Sequence, residues 1–477
     1  MSPVACRLPV LSSRPVEQPT IQTRYDGLAL LADPIHGCIP FTAPASASPA
    51  STETTEKAII DSVWMQRLRY INQLQSARWV YPSAEHSRFV HSLGAMHVAG
   101  RFARALYPSL AQAAPDCPSA ACIESLMRIT ALVHDIGHGP FCHFFDHQVL
   151  HPIGLTHEKL GQEIIRRALA PQISAIRRSP EGDFSTGEAL DPEHVAFLIH
   201  KDPAYKTPAS LPRWLILLKP LFSGLFTADN LDYVLRDAYM CGVAIGPVDL
   251  ERILHYTFVT PQGLTLHRAG LSALAFFLGA RSYLYSNVYY HRTTRAIDLH
   301  LADIFPETIR EIFPHNPLKR LEDYLDLTDW SLLTTVKGWQ ASRSKKRQGL
   351  SAEWNALLRR EIKWKMAYET VIPSGGTREA PAAEAVAQAI RARLPKRLSR
   401  LPFRVDMASQ DPRPLHPMRM GERQIYIFNP ATQTVGLTAL ADAIGALPPE
   451  VIQCRVYTKD HQNDALLSNL AEAVLKR

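Results

Sequence analysis

Four residues in this chain have the types and the order to hold a metal ion: His91, the adjacent pair His134-Asp135, and Asp229. Neutral imidazole nitrogen and ionised carboxylate oxygen are both good ligands for a divalent cation. Two of each suit Mn, Fe, Zn, Ni or Co better than calcium. Such a set leaves positions open for water and a phosphate oxygen, and a bound metal can lower the pKa of its water from 15.7 to about 7. The pair lies in ALVHDIGHGPFCHFFDH (131–147), which also supplies His138, His143 and Asp146. His143, with His157 from THEKLGQEIIRRAL, falls outside the ligand set and can protonate a leaving oxygen. Arg88, Arg281 and Arg292 can grip phosphates through forked hydrogen bonds. Taken singly, His91 reads as a packed core histidine and Asp229 as a capping acid; it is their joint order that suggests a centre.

Three helices must bring these groups together, as a metal centre in a helix bundle requires. Leu126, Ile129, Leu132 and Val133 have helical spacing before His134, and Gly137, Gly139 and Pro140 interrupt the helix after it. A second helix begins near Ser87 and carries Arg88 and His91 one turn apart. The third is TADNLDYVLRDAYMCG (227–242), where Asp229, Asp232, Tyr233, Arg236 and Asp237 share a face. So polar a face beside Leu231, Val234 and Leu235 is either solvated or an active site. Thr156 is a plausible cap for a helix with His157 and Glu158 in its first turn. Further helices are expected from about residue 56 to 74 and, rich in tyrosine, from about 271 to 305. Residues 252–267 read as two short strands.

With 477 residues and 46% apolar content the chain can bury a large core. The expected fold is mainly α: a helical bundle with a smaller C-terminal α/β lobe. Residues 1–24 read as a disordered tail, 25–325 as the catalytic domain, 40–56 as a flexible insertion, and 326–477 as the C-terminal lobe. In that lobe two basic stretches read as helical, and QIYIFN and VIQCRVYTKD as its strands. Seven scattered cysteines with no CxxC pair fit a reducing cytoplasm. No apolar run reaches membrane-spanning length, so no membrane partner is expected. The formal charge of +7 is uneven: residues 341–366 carry eight Lys/Arg against two acids, and 391–423 nine against three. That suggests a phosphate-bearing partner, nucleic acid included, although basic runs are more often solvated faces.

The ordered motifs DPIHG (33–37), QRLRYINQL (66–74), HSRFVHSLG (86–94), HDIGHGPFCHFFD (134–146), THE (156–158), DNLDYVLRD (229–237) and RSYLYSNVYYHR (281–292) make the chain recognisable. It resembles the HD-domain deoxynucleoside triphosphate triphosphohydrolases, a group with animal members that carry a sterile-alpha-motif domain and with bacterial relatives. The resemblance implies hydrolysis of a dNTP to deoxynucleoside and intact triphosphate. It implies a divalent metal (Mn, Mg, Fe, Zn, Ni or Co) on His91, His134, Asp135 and Asp229, with Arg88 on the nearby phosphates. His138, His143, Asp146, His157 and Glu158 would surround the α-phosphate, His143 acting as general acid. Arg281 would bind the triphosphate, with His291 and Arg292 beside it. Tyr233, Asp237 and Tyr289 would hold the deoxyribose, and Gln73 and Leu74 would border the base. Asp61, Gln66 and Arg69 match part of an effector site, and a homo-oligomer, dimer or tetramer, is expected.

The chain departs from the family pattern at several points. Val90, Tyr285, Ala29 and Phe258 replace a glutamate, a histidine, a lysine and an arginine, and the N-terminal stretch is too short for a sterile-alpha-motif domain. Activation by nucleotide effectors is therefore expected to be weak or absent. Two other readings compete: another HD-type nucleotide phosphohydrolase, and a nucleic-acid-binding regulator that keeps the fold.

Overall fold

Hydroxyl caps set the helix starts around the expected metal centre. Ser119 Oγ accepts from Cys122 N, Thr156 Oγ1 from Lys159 N, and Thr227 joins Asn230 in a reciprocal capping box. Each cap satisfies a donor that the helix leaves orphaned, worth about 1 kcal/mol. The computed structural model describes residues 26–45, 54–202, 207–246, 248–373, 382–410, 424–438, 440 and 451–475. The tail expected at 1–24 lies outside them.

The principal helices are α1 (Arg88–Ala113), α2 (Ala120–Val133), α3 (His157–Ile164), α4 (Ala228–Cys241), α5 (Leu271–Leu284), α6 (Arg292–Ile312), α7 (Asp329–Gly338), α8 (Lys345–Leu358), α9 (Ala383–Arg391) and α10 (Asp464–Leu475). The strands are β1 (Leu28–Asp33), β2 (Gly37–Thr42), β3 (Thr257–Thr260), β4 (Gly263–His267), β5 (Lys365–Pro373), β6 (Phe403–Gln410), β7 (Tyr426–Asn429), β8 (Thr434–Gly436) and β9 (Val451–Thr458). The architecture is mainly helical, with a smaller sheet-containing C-terminal region, as expected.

Helix α1 packs against both α2 and α4. Their contact is close because Gly94 has no side chain: a Cβ there would lie 1.9 Å from Asp232 Oδ1. Gly137 does the same for α3, since its Cβ would meet His157 O at 2.0 Å. Phe102, Leu132, Phe141, Phe145, Leu231 and Phe305 are fully buried in one core, each such side chain contributing about 1.5–3 kcal/mol by leaving water.

Several expectations are corrected by long-range structure. The main core does not stop at 325 but runs on through Leu332, Val336, Trp354 and Leu357 of α7 and α8. Of the segment 40–56, residues 46–53 lie outside the described residues, while Pro40, Phe41 and Thr42 belong to β2, and Thr42 and Glu56 exchange two hydrogen bonds, with Arg128 Nε 2.6 Å from Glu56 Oε1. The expected 56–74 helix is two short ones, Glu56–Ile60 and Val63–Arg67, because Ser62 is extended and caps the second. The tyrosine-rich helix also breaks: α5 passes through a π-turn (Tyr285–Tyr289), and His291 is extended and caps α6.

The C-terminal strands pair differently from expectation. Strand β9, VIQCRVYT, is the centre of a three-stranded antiparallel sheet ordered β5-β9-β6. The basic stretch 341–366 is helical as expected over α8, with β5 starting at its end, whereas β6 replaces helix in the middle of the stretch 391–423. QIYIFN instead forms β7, which pairs in parallel with β4 in the sheet β8-β7-β4-β3. Much of the basic charge has local partners: Lys346 and Arg347 lie 2.8 and 2.9 Å from Glu311, and Arg404 pairs with Asp303, all on α6.

Candidate metal centre

His91 comes from the first turn of α1, His134 is the C-cap of α2 with Asp135 next to it, and Asp229 sits in the first turn of α4. His91 Nε2 lies 3.2 Å from Asp229 Oδ1 and 3.7 Å from Asp135 Oδ2; His134 Nε2 lies 3.2 Å from Asp135 Oδ1 and 3.7 Å from Asp229 Oδ1. The opposite ring nitrogens have fixed partners. His91 Nδ1 donates to Asp232 Oδ2 at 2.7 Å, and His134 Nδ1 donates to Ala131 O at 2.7 Å. With Nδ1 carrying the proton, each Nε2 presents a lone pair to the centre, the arrangement typical of metal-binding histidines. Both Nε2 atoms are buried and make no hydrogen bond among the described residues. An orphaned buried nitrogen is costly, and a cation removes that cost. The donor set therefore fits a divalent metal.

Behind His91 is a network of buried charge. Asp232 accepts from His91, from His36 Nε2 at 2.7 Å, and from Arg236 Nε and Nη2 at 2.8 Å each; Arg236 Nη1 also donates to Asp33 Oδ2. Asp33 and His36 belong to DPIHG, where Asp33 Oδ1 accepts from Ile35 N and His36 N. The polar face of α4 is thus buried rather than solvated. Burial disfavours ionisation of Asp229, Asp135 and Asp232. Lys201 and the ligand histidines beside Asp229, Arg88 beside Asp135 and Arg236 beside Asp232 outweigh it and hold all three well below the usual carboxylate range. Burial likewise disfavours charge on His91, yet Asp229 and Asp232 carry its pKa up to about 10. A proton or a metal ion answers the same local excess of negative charge.

On the other side of Asp135 is a second imidazole group. Asp146 Oδ2 lies 2.6 Å from His157 Nδ1, 3.3 Å from His143 Nδ1 and 3.8 Å from His138 Nδ1. His138 and His157 stack with ring centroids 3.7 Å apart, and His157 Nε2 is 3.2 Å from Glu158. Burial opposes the charge on Glu158, but His157 and Lys201 prevail and hold its carboxyl at about 2.

The loop that places these residues is strained. Phe141 and Cys142 both have positive φ, 61° and 53°, and both are fully buried. Non-glycine residues there cost of order 1–3 kcal/mol each. Asp329 of α7 offsets this: it accepts from Phe141 N at 2.7 Å and from Asn72 N at 3.0 Å. Arg88 adds a bond to Cys142 Sγ at 2.8 Å and an ion pair with Asp135.

Both groups open on a cavity of about 700 Å³, within the range of small-molecule sites. Arg88, Asp135, His143, His157, Asp229, Gln73, Leu74, Tyr233, Asp237 and Tyr289 all line it. Tyr289 Oη donates to Asp237 Oδ2 at 2.6 Å, and His86 holds the other carboxylate oxygen. Arg281 stands behind the wall, donating to Tyr233 Oη at 2.9 Å, with its Nη1 buried and unpartnered among the described residues.

Residues 88–198 match the family model described as HD domain. The chain carries an HD domain. It is 30% identical over 289 residues to the uncharacterized protein YwfO of Bacillus subtilis, covering 58% of this chain and 60% of that one. It is 32% identical over 286 residues to the uncharacterized protein MJ1154 of Methanocaldococcus jannaschii (59% and 51%), and 26% identical over 326 residues to the human deoxynucleoside triphosphate triphosphohydrolase SAMHD1 (65% and 47%). The matched region spans about half to three fifths of these relatives. A hypothetical protein from Aquifex aeolicus shares the fold, with a TM-score of 0.64 and 23% identity over 94% of this chain and all of that one. His91, His134 and Asp229 form a His/Asp cluster with one ligand atom each within 4.8 Å of the others, able to hold a metal ion. Among the described residues no helix is long and apolar enough to cross a membrane.

The fold around the HD domain does not bring every expected residue to the cavity. His291 and Arg292 were expected to bind substrate. The break between α5 and α6 instead makes His291 a cap for Thr293 N and turns Arg292 to a separate cleft with Lys363, Trp364 and Lys459. The effector candidates lie elsewhere and have local partners: Asp61 pairs with Lys57, Gln66 donates to Ile60 O, and Arg69 bonds Gln66 and covers the Phe89 ring at 3.8 Å. Other residues were missed. Lys201 lines the cavity 3.4 Å from Asp229 Oδ2, and nothing in its sequence neighbourhood signals it. Met407 and Ala408 of β6 close the cavity from the C-terminal lobe, held there by Arg295 and Asp406 at 2.6 Å. His36 was visible in the DPIHG motif but had no role assigned.

Proposed function

We propose that this protein hydrolyses deoxynucleoside triphosphates to deoxynucleoside and inorganic triphosphate. The observation that carries the reading is the environment of His143. Its side chain is 59% exposed and lines the cavity, while His157 is 6% exposed, and Asp146 sits on His143 Nδ1. His143 therefore has Nε2 free to give a proton to a bound ligand. Attack at the α-phosphorus expels the 5′ alkoxide, a poor leaving group that needs that proton.

The remaining lining fits the same substrate. His91, His134, Asp135 and Asp229 would hold the divalent metal, which when bound polarises a phosphate oxygen and acidifies water. Arg88 and Lys201 supply positive charge on the metal side, where the phosphates would lie. Tyr289, fixed by Asp237, presents a flat wall to the sugar, and its contact with C2′ leaves no room for a ribose hydroxyl. Gln73 and Leu74, with Met407 from the C-terminal lobe, border the space left for the base. The SAMHD1 relatives carry the description of this activity in their names.

The experiment is to incubate the protein with each dNTP, and with GTP, in the presence of Mn2+ or Mg2+, and to separate the phosphate products. Inorganic triphosphate with deoxynucleoside is the expected result, with GTP left intact. Release of orthophosphate or pyrophosphate, or cleavage of monophosphates alone, would overturn it.

A further inference from the structure

The group on the far side of Asp135 contains more ligand capacity than proton transfer requires. One ligand atom each from His138, His143, Asp146 and His157 lies within 4.8 Å of all the others. The three Nδ1 atoms converge on one oxygen of Asp146, and the other, Asp146 Oδ1, is buried with no partner. His138 is fully buried; its Nε2 lies 3.3 Å from Asp135 Oδ1, while its Nδ1, 3.8 Å from Asp146 Oδ2, makes no hydrogen bond among the described residues. A buried imidazole nitrogen and a buried carboxylate oxygen left without hydrogen bonds are costly. Three imidazole nitrogens and one carboxylate oxygen make a tetrahedral donor set, and zinc bonds of about 2.0–2.2 Å would set the donors roughly 3.3 Å apart. The His143–Asp146 separation has that value already. From 2.6 Å His157 would open by about 0.7 Å, and from 3.8 Å His138 would close by about 0.5 Å, to reach that spacing.

We propose that His138, His143, Asp146 and His157 form a second divalent-cation site, selective for zinc-like ions and distinct from the site of His91, His134 and Asp229. A zinc ion there takes the Nδ1 lone pairs of His143 and His157 and replaces Asp146 as their partner. Bound zinc and proton delivery by His143 then exclude each other, so the site inhibits. That consequence alone rests on the proposed reaction; the binding of the ion does not.

The test is metal stoichiometry rather than turnover. The untagged full chain is stripped with a chelator and dialysed into zinc-buffered solution, and bound metal is counted by mass spectrometry. Wild type is expected to hold two equivalents. The double variant His91→Ala/His134→Ala should keep one, and His143→Ala/His157→Ala should keep one. Co2+ added to the His91→Ala/His134→Ala protein should give the visible absorption of tetrahedral cobalt. His143→Ala alone, at an exposed position that leaves packing intact, should weaken the second binding step and leave the first unchanged. A single equivalent in wild type, or two retained in His143→Ala/His157→Ala, would overturn the site. If both equivalents bind yet excess zinc does not suppress Mn2+-supported hydrolysis, the inhibitory consequence is overturned and the site stands.

Discussion

Two imidazole groups flank Asp135, and they are held in opposite ways. His91 is fixed from behind by Asp232, which is itself locked by the covered side chains of His36 and Arg236. His143 rests on Asp146 at 3.3 Å and is more than half exposed. The first group is built on helices α1, α2 and α4, whose faces are fixed by core packing. The second takes His138, His143 and Asp146 from a strained loop and short turn pinned by Asp329, and His157 from the start of α3. The difference teaches a division of labour. Ligands are pre-organised by rigid elements and buried charge, whereas a group that must meet and release a substrate sits where it can move.

The comparison can be broken first at its hinge. Asp135→Ala removes a ligand carboxylate and the partner of Arg88, so hydrolysis and the metal on the His91 side should both be lost, with the circular dichroism spectrum kept. Activity with metal still bound would show that Asp135 does not belong to the centre. The next largest effect is expected at Asp232→Ala, which touches no substrate. It leaves the buried Arg236 short of its main partner, so thermal or urea unfolding should show a loss of about 3–5 kcal/mol. Metal affinity should fall with it because His91 loses its orientation. A merely local surface role would leave both unchanged.

On the movable side, His143→Ala should lower the rate constant by roughly 10²–10⁴. KM and the metal on the His91 side should stay nearly constant, and folding stability should change little. If nucleotide binding disappears as well, His143 is structural and His157 becomes the better candidate for the acid. The smallest effect concerns acid sensitivity behind the rigid group. The His97 ring lies tilted against that of His36, with centroids 5.3 Å apart. Burial, with repulsion from His36 and Arg128, lowers its pKa to about 3 from 6.5. A depressed pKa means that the fold keeps His97 neutral. Its contribution is therefore fully present above 6.5 and is lost as pH falls from 6.5 towards 3. His97→Gln should lose less stability over that window than wild type in paired melts; parallel curves would remove His97 from the account.

What the sequence by itself determined is local. Helical spacing before His134, the hydroxyl caps at Thr156 and Thr227, and the polar face from Asp229 to Asp237 depend on residues three or four apart, and each can be read without the rest of the chain. That was enough to nominate His91, His134, Asp135 and Asp229 as candidate ligands and to single out the second imidazole group. What only the tertiary structure decided depends on pairings far apart in the chain. The π-turn and cap at Tyr285–His291 break the helix before Arg292, which lines a separate cleft. Asp329 stabilises the loop of Phe141 and Cys142 from beyond the expected domain boundary. Strand β7, besides its sequence neighbour β8, found the distant β4, and Met407 of β6 reached the cavity. Lys201, from a loop with no periodicity, came within reach of Asp229. In each case the deciding quantity is which buried donor or apolar edge lacks a partner once the helices have packed, and that is fixed by the assembled core, not by any short stretch of sequence.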